Sequence, residues 1–277
     1  MDYIELDIHI EPRYPAADLL IAELSELGFE SFADTALGFQ AYIPQRDYSE
    51  SVLTPLREFD ASLGKLSWTE KHIPTQNWNA VWEADFQPVD IGGVCQIRAP
   101  FHAPAPEGIM DIVIQPQMSF GTGHHPTTHL MVEKLLTMPL SGNTVLDLGS
   151  GTGVLGILAS LRGAAAVDAV DIEAPAVENA RENAAHNPGA QISVYEGDIS
   201  FLEQNTWEVI IANINRNVLL EAMPGFGKAL KPGGTLLLSG FFTSDIAALT
   251  EAAAMHGINA IQSTSKNEWA LLELTRI

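Results

Sequence analysis

Apolar and polar residues alternate at the start of the chain. Ile4, Leu6, Ile8 and Ile10 fall on one side and Glu5, Asp7 and His9 on the other, the period of a half-buried strand. After Pro15 the period lengthens: Leu19, Leu20, Ile21, Leu24 and Leu27 recur at helical spacing, and Gly28 supplies a stop just beyond them. Two short strands are expected around Phe29 to Ala33 and Gly38 to Ile43. A helical stretch from Ser49 to Phe59, weakened by Pro55, then leads to a strand through Leu66, Trp68 and Ile73. This β-α-β-β-α-β order is the plan of a small α+β, ferredoxin-like domain over residues 1–73. Pro74-Thr75-Gln76-Asn77 reads as a linker, and Trp78 and Trp82, one helical turn apart, could staple a connecting helix onto a core, so residues 74–83 are assigned to the connection.

From Asn143 onward the pattern changes to apolar strands alternating with helices: Thr144 to Leu148, Val167 to Asp171, Ile192 to Tyr195, Val209 to Ala212 and Thr235 to Leu238. Such alternation predicts an α/β domain, with a mostly parallel sheet covered by helices on both faces, over residues 84–277. After Gly257 the helices stop. Ile258 to Ser263 and Trp269 to Leu274 read as two antiparallel strands joined by a short polar turn, which brings the sheet to seven strands.

Composition narrows the setting. No window approaches the unbroken apolar run of a membrane span, and the acidic start, Met1-Asp2-Tyr3-Ile4-Glu5-Leu6-Asp7, is unlike a signal peptide, so a cytoplasmic location is expected. The one cysteine, Cys95, allows neither an internal disulfide nor a thiolate metal cluster. Fourteen Lys and Arg against 35 Asp and Glu give a net charge of −21, which repels a phosphate backbone and makes nucleic acid a poor candidate partner. The same field attracts a basic protein, although solubility alone also accounts for it.

The chemistry-bearing motif follows the first strand of the α/β region. In Asp147-Leu148-Gly149-Ser150-Gly151-Thr152-Gly153, three glycines at alternate positions permit a tight turn and a close approach to the backbone, and the exposed N–H groups at the helix start favour an acceptor or anion. Asp171 ends the next strand, where a doubly wound sheet presents a carboxylate to ribose hydroxyls. Gly151-Thr152-Gly153-Val154-Leu155-Gly156 with Asp171 also satisfies the dinucleotide fingerprint, so a nicotinamide enzyme is a rival at this point. Three features turn the balance: the glycines begin at Gly149 behind Asp147; the fourth strand ends in Asn213-Ile214-Asn215; and Leu230-Lys231-Pro232-Gly233-Gly234 precedes a fifth strand followed by an antiparallel pair. As a set these resemble a class I methyltransferase. The resemblance implies S-adenosylmethionine as cofactor, with Gly149, Gly151 and Gly153 lining its methionine part, Asp171 holding the ribose and Asp198 near the adenine. The plainer alternatives are a structural turn for the glycines and a solvated loop residue for Asp198.

Upstream stands Met118-Ser119-Phe120-Gly121-Thr122-Gly123-His124-His125-Pro126-Thr127-Thr128. Thr127 or Thr128 is a natural N-cap for the helix carrying Leu130, Met131 and Leu135. With Trp78 and Trp82, the glycine loop and Asn213-Ile214, this run resembles the signature of the ribosomal protein L eleven methyltransferases, and the likeness then covers nearly the whole chain. It implies cofactor contacts at Thr128, Gly149, Asp171 and Asn213, and a small amino-terminal domain that recognises the ribosomal protein. Two departures stand out: Gln115-Pro116-Gln117-Met118 replaces the usual acidic residue and glycine, and the amino-terminal domain matches by plan more than by residue. His125 and His129 lie a helical turn apart, but no neighbouring ligand completes a zinc set, so no metal is assigned.

The resemblance implies direct displacement, an uncharged amine nitrogen attacking the methyl group on a cationic sulfur. A lysine amine in water holds its proton up to about pH 10.4, so the site must favour the neutral form by desolvation or a neutral acceptor. Asn213 is the candidate for that acceptor, with Thr128 walling the other side. No Pro-Pro-Tyr follows the asparagine, which favours an alkyl amine over a planar nitrogen. The family resemblance implies that this amine is a lysine side chain or the amino terminus of ribosomal protein L eleven. The rivals are a methyltransferase for small-molecule amines, an oxidoreductase, and a silent binding module.

Overall fold

The computed structural model describes residues 2–73, 86–117 and 119–277. The chain divides into two compact units, Met1–Asp85 and Phe86–Ile277. The 74–83 connection, Trp78 and Trp82 included, lies outside the described residues, as does Met118.

In the first unit, β1 (Tyr3–Glu11) follows the alternation, with Leu6, Ile8 and Ile10 buried. It is flanked antiparallel by β3 (Gly38–Pro44) and β4 (Lys65–Ile73), with β2 (Ser31–Thr35) outside β3. Helix α1 (Ala16–Glu26) buries Ala16, Ala17, Leu20 and Leu24, whereas Leu19 is 52% exposed, because it falls on the far side of the helix. Leu27 is already the cap residue. The expected helix from Ser49 to Phe59 is instead a 3₁₀ turn, Glu50–Leu53, followed by the single turn α2 (Thr54–Arg57). Pro55 has no N–H to bond an upstream carbonyl and is tolerated only in a first helical turn, so the α-helix begins there. Val52, Leu53 and Leu56 still reach the core with Leu20, Leu24 and Phe39.

The second unit is built on a seven-stranded mixed sheet in the order β10-β9-β8-β11-β12-β14-β13. Strands β8 (Thr144–Leu148), β9 (Ala166–Asp171), β10 (Ser193–Glu196), β11 (Trp207–Asn213) and β12 (Leu230–Phe242) are parallel. β14 (Trp269–Arg276) pairs antiparallel with both β12 and β13 (Ile258–Lys266). Neighbouring residues feed opposite faces: Val145, Val209, Ile211 and Leu237 join one core, Leu146, Ile210, Leu236 and Leu238 the other. That period of two across an unbroken apolar run is what a sheet buried on both faces requires. The turn between β13 and β14 places Asn267 and Glu268 at φ 50° and 65°, the primed geometry of a two-residue hairpin. Helices α3 (Pro126–Thr137), α4 (Val154–Leu161), α5 (Ala174–His186), α6 (Arg216–Ala229) and α7 (Ile246–Ala254) complete the unit.

Strand order reverses between β8 and β11, and it is outside the carboxyl ends of strands at such a switch point that ligands bind. A second small sheet, β5 (Val89–Ile91), β6 (Cys95–Arg98) and β7 (Met110–Val113), has no counterpart among the elements that periodicity predicts. Strands of three or four residues carry too few alternations to stand out. Their inward residues Ile91, Cys95, Ile97 and Ile112 pack in the same core as Leu130, Met131 and Leu135 of α3.

Candidate functional site

The glycine loop turns sharply because its backbone demands it. Gly149, Gly151 and Gly153 have φ of 74°, 53° and 78°, a region that side chains strongly disfavour. Gly149 N and Ser150 N both donate to Val170 O, at 2.8 and 3.0 Å, tying the loop to the end of β9. Gly151 N donates to Asp171 Oδ2 at 2.8 Å, and Glu173 N donates to Asp171 Oδ1 at 3.0 Å. The carboxylate is thus held by two backbone donors and keeps further lone pairs for a ligand. Its fixed orientation comes from the loop it helps to shape.

The upstream signature segment lies directly on this loop. Thr152 N donates to Phe120 O at 2.9 Å and Thr152 Oγ1 to Gly121 O at 2.7 Å, and a Cβ on Gly151 would overlap Phe120 O. Two glycine-bearing segments far apart in sequence therefore interlock. The helix that follows is capped differently from expectation: His125, not Thr127 or Thr128, is the N-cap of α3. Pro126 occupies the first turn, and His125 Nδ1 accepts from Thr127 N at 3.3 Å. Accepting at Nδ1 requires a neutral ring, and burial accordingly lowers the His125 pKa. Its ring meets Phe120 and Trp269 edge-on, at centroid distances of 5.1 and 4.6 Å. His129 instead lies 3.3 Å from Glu133. Among the described residues no group of three or more His, Cys, Asp or Glu is placed to hold a metal ion.

A cavity of about 990 Å³ opens at the switch point, lined by Gly149, Gly151, Asp171, Asp198 and Asn213 together with Phe120, Ile172 and Ile214. Its size suits a cofactor-sized molecule. Five of the site residues expected from sequence are thereby brought together. Thr128 and Gly153 are not in the lining. Gly153 is needed for packing, since a Cβ there would meet Ala180 of α5 at 3.1 Å. Thr128 is fully buried, and its Oγ1 has no hydrogen-bond partner among the described residues. Asp198 accepts from Ser200 N at 2.9 Å and caps a 3₁₀ turn; those Ser200 hydrogen bonds hold its carboxyl below the usual range. Asp198 is therefore both a solvated loop residue and part of the rim.

Asn213 ends β11, and its Oδ1 is buried without a partner among the described residues. A buried amide oxygen left unsatisfied is costly. Asp147 stands behind Gly149, wholly buried, with Oδ2 accepting from Gly156 N at 2.9 Å. Burial pushes its pKa up to about 7, opposed by the Gly156 bond and assisted by the Asp171 charge. Ile172 is a lining residue that sequence reasoning does not single out, and Phe120 and Ile214, present there only as parts of motifs, carry no assigned role as an apolar wall. Phe120 is 53% exposed, and Ile214 is held so close that a Cβ on Gly149 would overlap its side chain.

The family described as "Ribosomal protein L11 methyltransferase (PrmA)" matches residues 18–276. The ribosomal protein L11 methyltransferase of Porphyromonas gingivalis is 45% identical over 263 residues, 94% of this chain and 91% of that protein. The one from Bacteroides fragilis is 41% identical over 277 residues, 99% of each. Among solved structures, a ribosomal protein L11 methylase from Lactobacillus delbrueckii subsp. bulgaricus is similar with a TM-score of 0.64 and 25% identity, covering 69% of this chain and 99% of that one. Both the glycine loop and the signature segment fall within the matched span, and the chain belongs to the ribosomal protein L11 methyltransferase family.

Proposed function

We propose that this chain transfers methyl groups from S-adenosylmethionine to amine nitrogens, lysine side chains and the amino terminus, of ribosomal protein L11. The observation that carries the reading is the buried Asn213 Oδ1, unpartnered among the described residues, in a cavity shared with Gly149, Gly151 and Asp171. When bound, the cofactor supplies a methyl group on a cationic sulfur. Asp171 accepts from the ribose hydroxyls, the Gly149–Gly151 backbone cradles the methionine part, and Asp198 borders the adenine. Thr128, buried outside the cavity lining with its Oγ1 unpartnered among the described residues, is assigned to the cofactor by the family resemblance alone.

Asn213 Oδ1 accepts a hydrogen bond from the incoming amine, orienting the nitrogen lone pair toward the methyl carbon. Apolar neighbours Phe120 and Ile214 exclude water and favour the uncharged amine over the ammonium. Alignment of this kind supplies much of the rate enhancement without a strong acid or base. Asn213→Ala lowers kcat by roughly a hundredfold, the scale for loss of one preorganised hydrogen-bonding group, as read in a methyl-transfer assay. Full turnover in that variant removes the assignment.

The amino-terminal unit is read as a ferredoxin-like substrate-recognition domain, supported by its strand order β2-β3-β1-β4. Residues 1–73 then form this domain, 74–83 the connection and 84–277 the methyltransferase domain. No described helix is long and apolar enough to cross a membrane. A ribosomal substrate supports the reading of a cytoplasmic enzyme, and the net charge of −21 favours a protein partner over direct contact with nucleic acid. Calorimetry separates the oxidoreductase rival: S-adenosylmethionine binds and a nicotinamide dinucleotide does not.

A further inference from the structure

Asn179 and Asn183 of α5 and Asn187, the residue that caps it, recur every four residues, and all three are buried. A buried amide needs partners: all three reach an extended segment, Asn187 also donates to Asn183 O within the helix, and Asn179 Oδ1 has no partner among the described residues. Asn187 Oδ1 accepts from Val113 N at 2.9 Å while its Nδ2 donates to Val113 O at 2.7 Å. Asn183 Oδ1 accepts from Gln115 N at 2.7 Å, and Asn179 Nδ2 donates to Gln115 O at 3.2 Å. The two periods match. Four helical residues advance about 6 Å and two extended residues about 6.6 Å, so Asn187 and Asn183 meet Val113 and Gln115, two residues apart, while Asn179 also bonds Gln115.

Asn183 makes one contact the others lack. Its Nδ2 donates to Thr152 O at 2.9 Å, in the glycine loop. One side chain therefore joins the glycine loop to the segment that runs through Gln117 and Ser119 to Phe120, and all three of those residues line the cavity. Thr152 bonds the same signature segment at Phe120 and Gly121, closing the connection from the other side. Nothing in the reaction calls on Asn183 itself, which does not line the cavity.

We propose that Asn183 is a positioning residue for the cofactor: it fixes the spacing between the segment entering the signature loop and the glycine loop, and so sets the cavity wall. This rests on reading the cavity as the S-adenosylmethionine site. Asn187, also buried but bonded through its side chain, among the described residues, only to Val113 and to Asn183 O, is the internal control.

The test uses the full chain and titrates S-adenosylhomocysteine by calorimetry from about pH 5 to about pH 8, a range that spans the protonation of a buried carboxyl. Asn183→Asp keeps an acceptor for Gln115 N but turns a carboxylate oxygen toward Thr152 O; protonation restores the missing donor. The expected result is affinity about tenfold weaker than wild type at the upper pH, with the gap narrowing as pH falls, while Asn187→Ala stays within about twofold. Asn183→Ala removes both bonds without adding charge, and it shows the same weakening with no recovery at low pH. Equal losses in Asn183→Ala and Asn187→Ala, or a gap in Asn183→Asp that ignores pH, overturn the proposal. If the wild-type chain binds no S-adenosylhomocysteine, the reading of the cavity fails instead. Amide exchange in the ligand-free protein then decides the positioning: faster exchange in Asn183→Ala at both 113–121 and 149–152 supports it, and an unchanged glycine loop overturns it.

Discussion

Gly151 shows how tightly one backbone position is constrained. Its φ of 53° alone disfavours a side chain, and a Cβ would also overlap Phe120 O, a carbonyl already engaged by Thr152 N. Gly93 has a comparable φ of 67° but nothing within 4 Å of a Cβ. Gly93→Ala therefore measures conformational strain alone, about 1–2 kcal/mol, whereas Gly151→Ala adds a displaced loop and loses more in thermal unfolding. Equal losses would show that the close approach costs nothing. Asp147 is constrained by charge. Its pKa of about 7 lies above the unfolded value, so the native state holds the proton more tightly than the unfolded chain does. Its contribution to stability is complete below about pH 4 and lost as pH rises through about 7. Asp147→Asn flattens that part of the stability profile in chemical denaturation, and an unchanged slope would assign it to another group. Asn213, Asp171, Gly149 and Gly151, singled out by type and position, line the cavity, whereas Gly153 and Thr128 do not. The unsatisfied state of Asn213 Oδ1 was not legible, since it depends on what the fold leaves unpaired.

At the scale of elements, legibility followed length and burial. Strands β8, β9, β11, β12 and β14 are legible because each is an apolar run feeding two cores, whereas β10 buries no residue and β13 only Ile258; β12 extends far beyond the expected Thr235 to Leu238. Its pairing with β14 continues to Phe242, which sequence periodicity does not encode. The cap of α3 went to His125 because Pro126 fixes where the helix starts, and an unprotonated imidazole can accept as a threonine hydroxyl does. The asparagine series on α5 is likewise invisible as chemistry until its extended partner is known. Cross-strand support at the opposite end of the sheet comes from Glu208 of β11, which accepts from Thr144 N at 2.7 Å, from Thr144 Oγ1 and from Lys231 of β12. The Lys231 and Thr144 bonds hold its pKa down to about 2. A depressed carboxyl stabilises the fold above its unfolded pKa, and that stability is lost as pH falls from about 4.5 toward 2. Glu208→Gln lowers stability by about 1 kcal/mol near neutrality and reduces the acid dependence below about pH 4 in urea unfolding. An identical acid limb in the variant would exclude Glu208 as a source of it.

For the whole molecule, the family match spans both units, and the two carry different weights of inference. The second unit holds the cavity, the interlocked loops and Asn213. The first contributes its own core and strand order, and its proposed role in substrate recognition draws on topology and family membership. Charge adds a bias toward basic partners but names none. The reaction and its substrate therefore have to be tested together, on the full chain. The most direct measurement incubates the enzyme with S-adenosylmethionine and ribosomal protein L11 of the same organism and follows the substrate by mass spectrometry. Mass increments in whole methyl units are expected, mapping to amine nitrogens and strongly slowed in Asn213→Ala; an unmodified L11 in the presence of bound cofactor would contradict the proposed reaction.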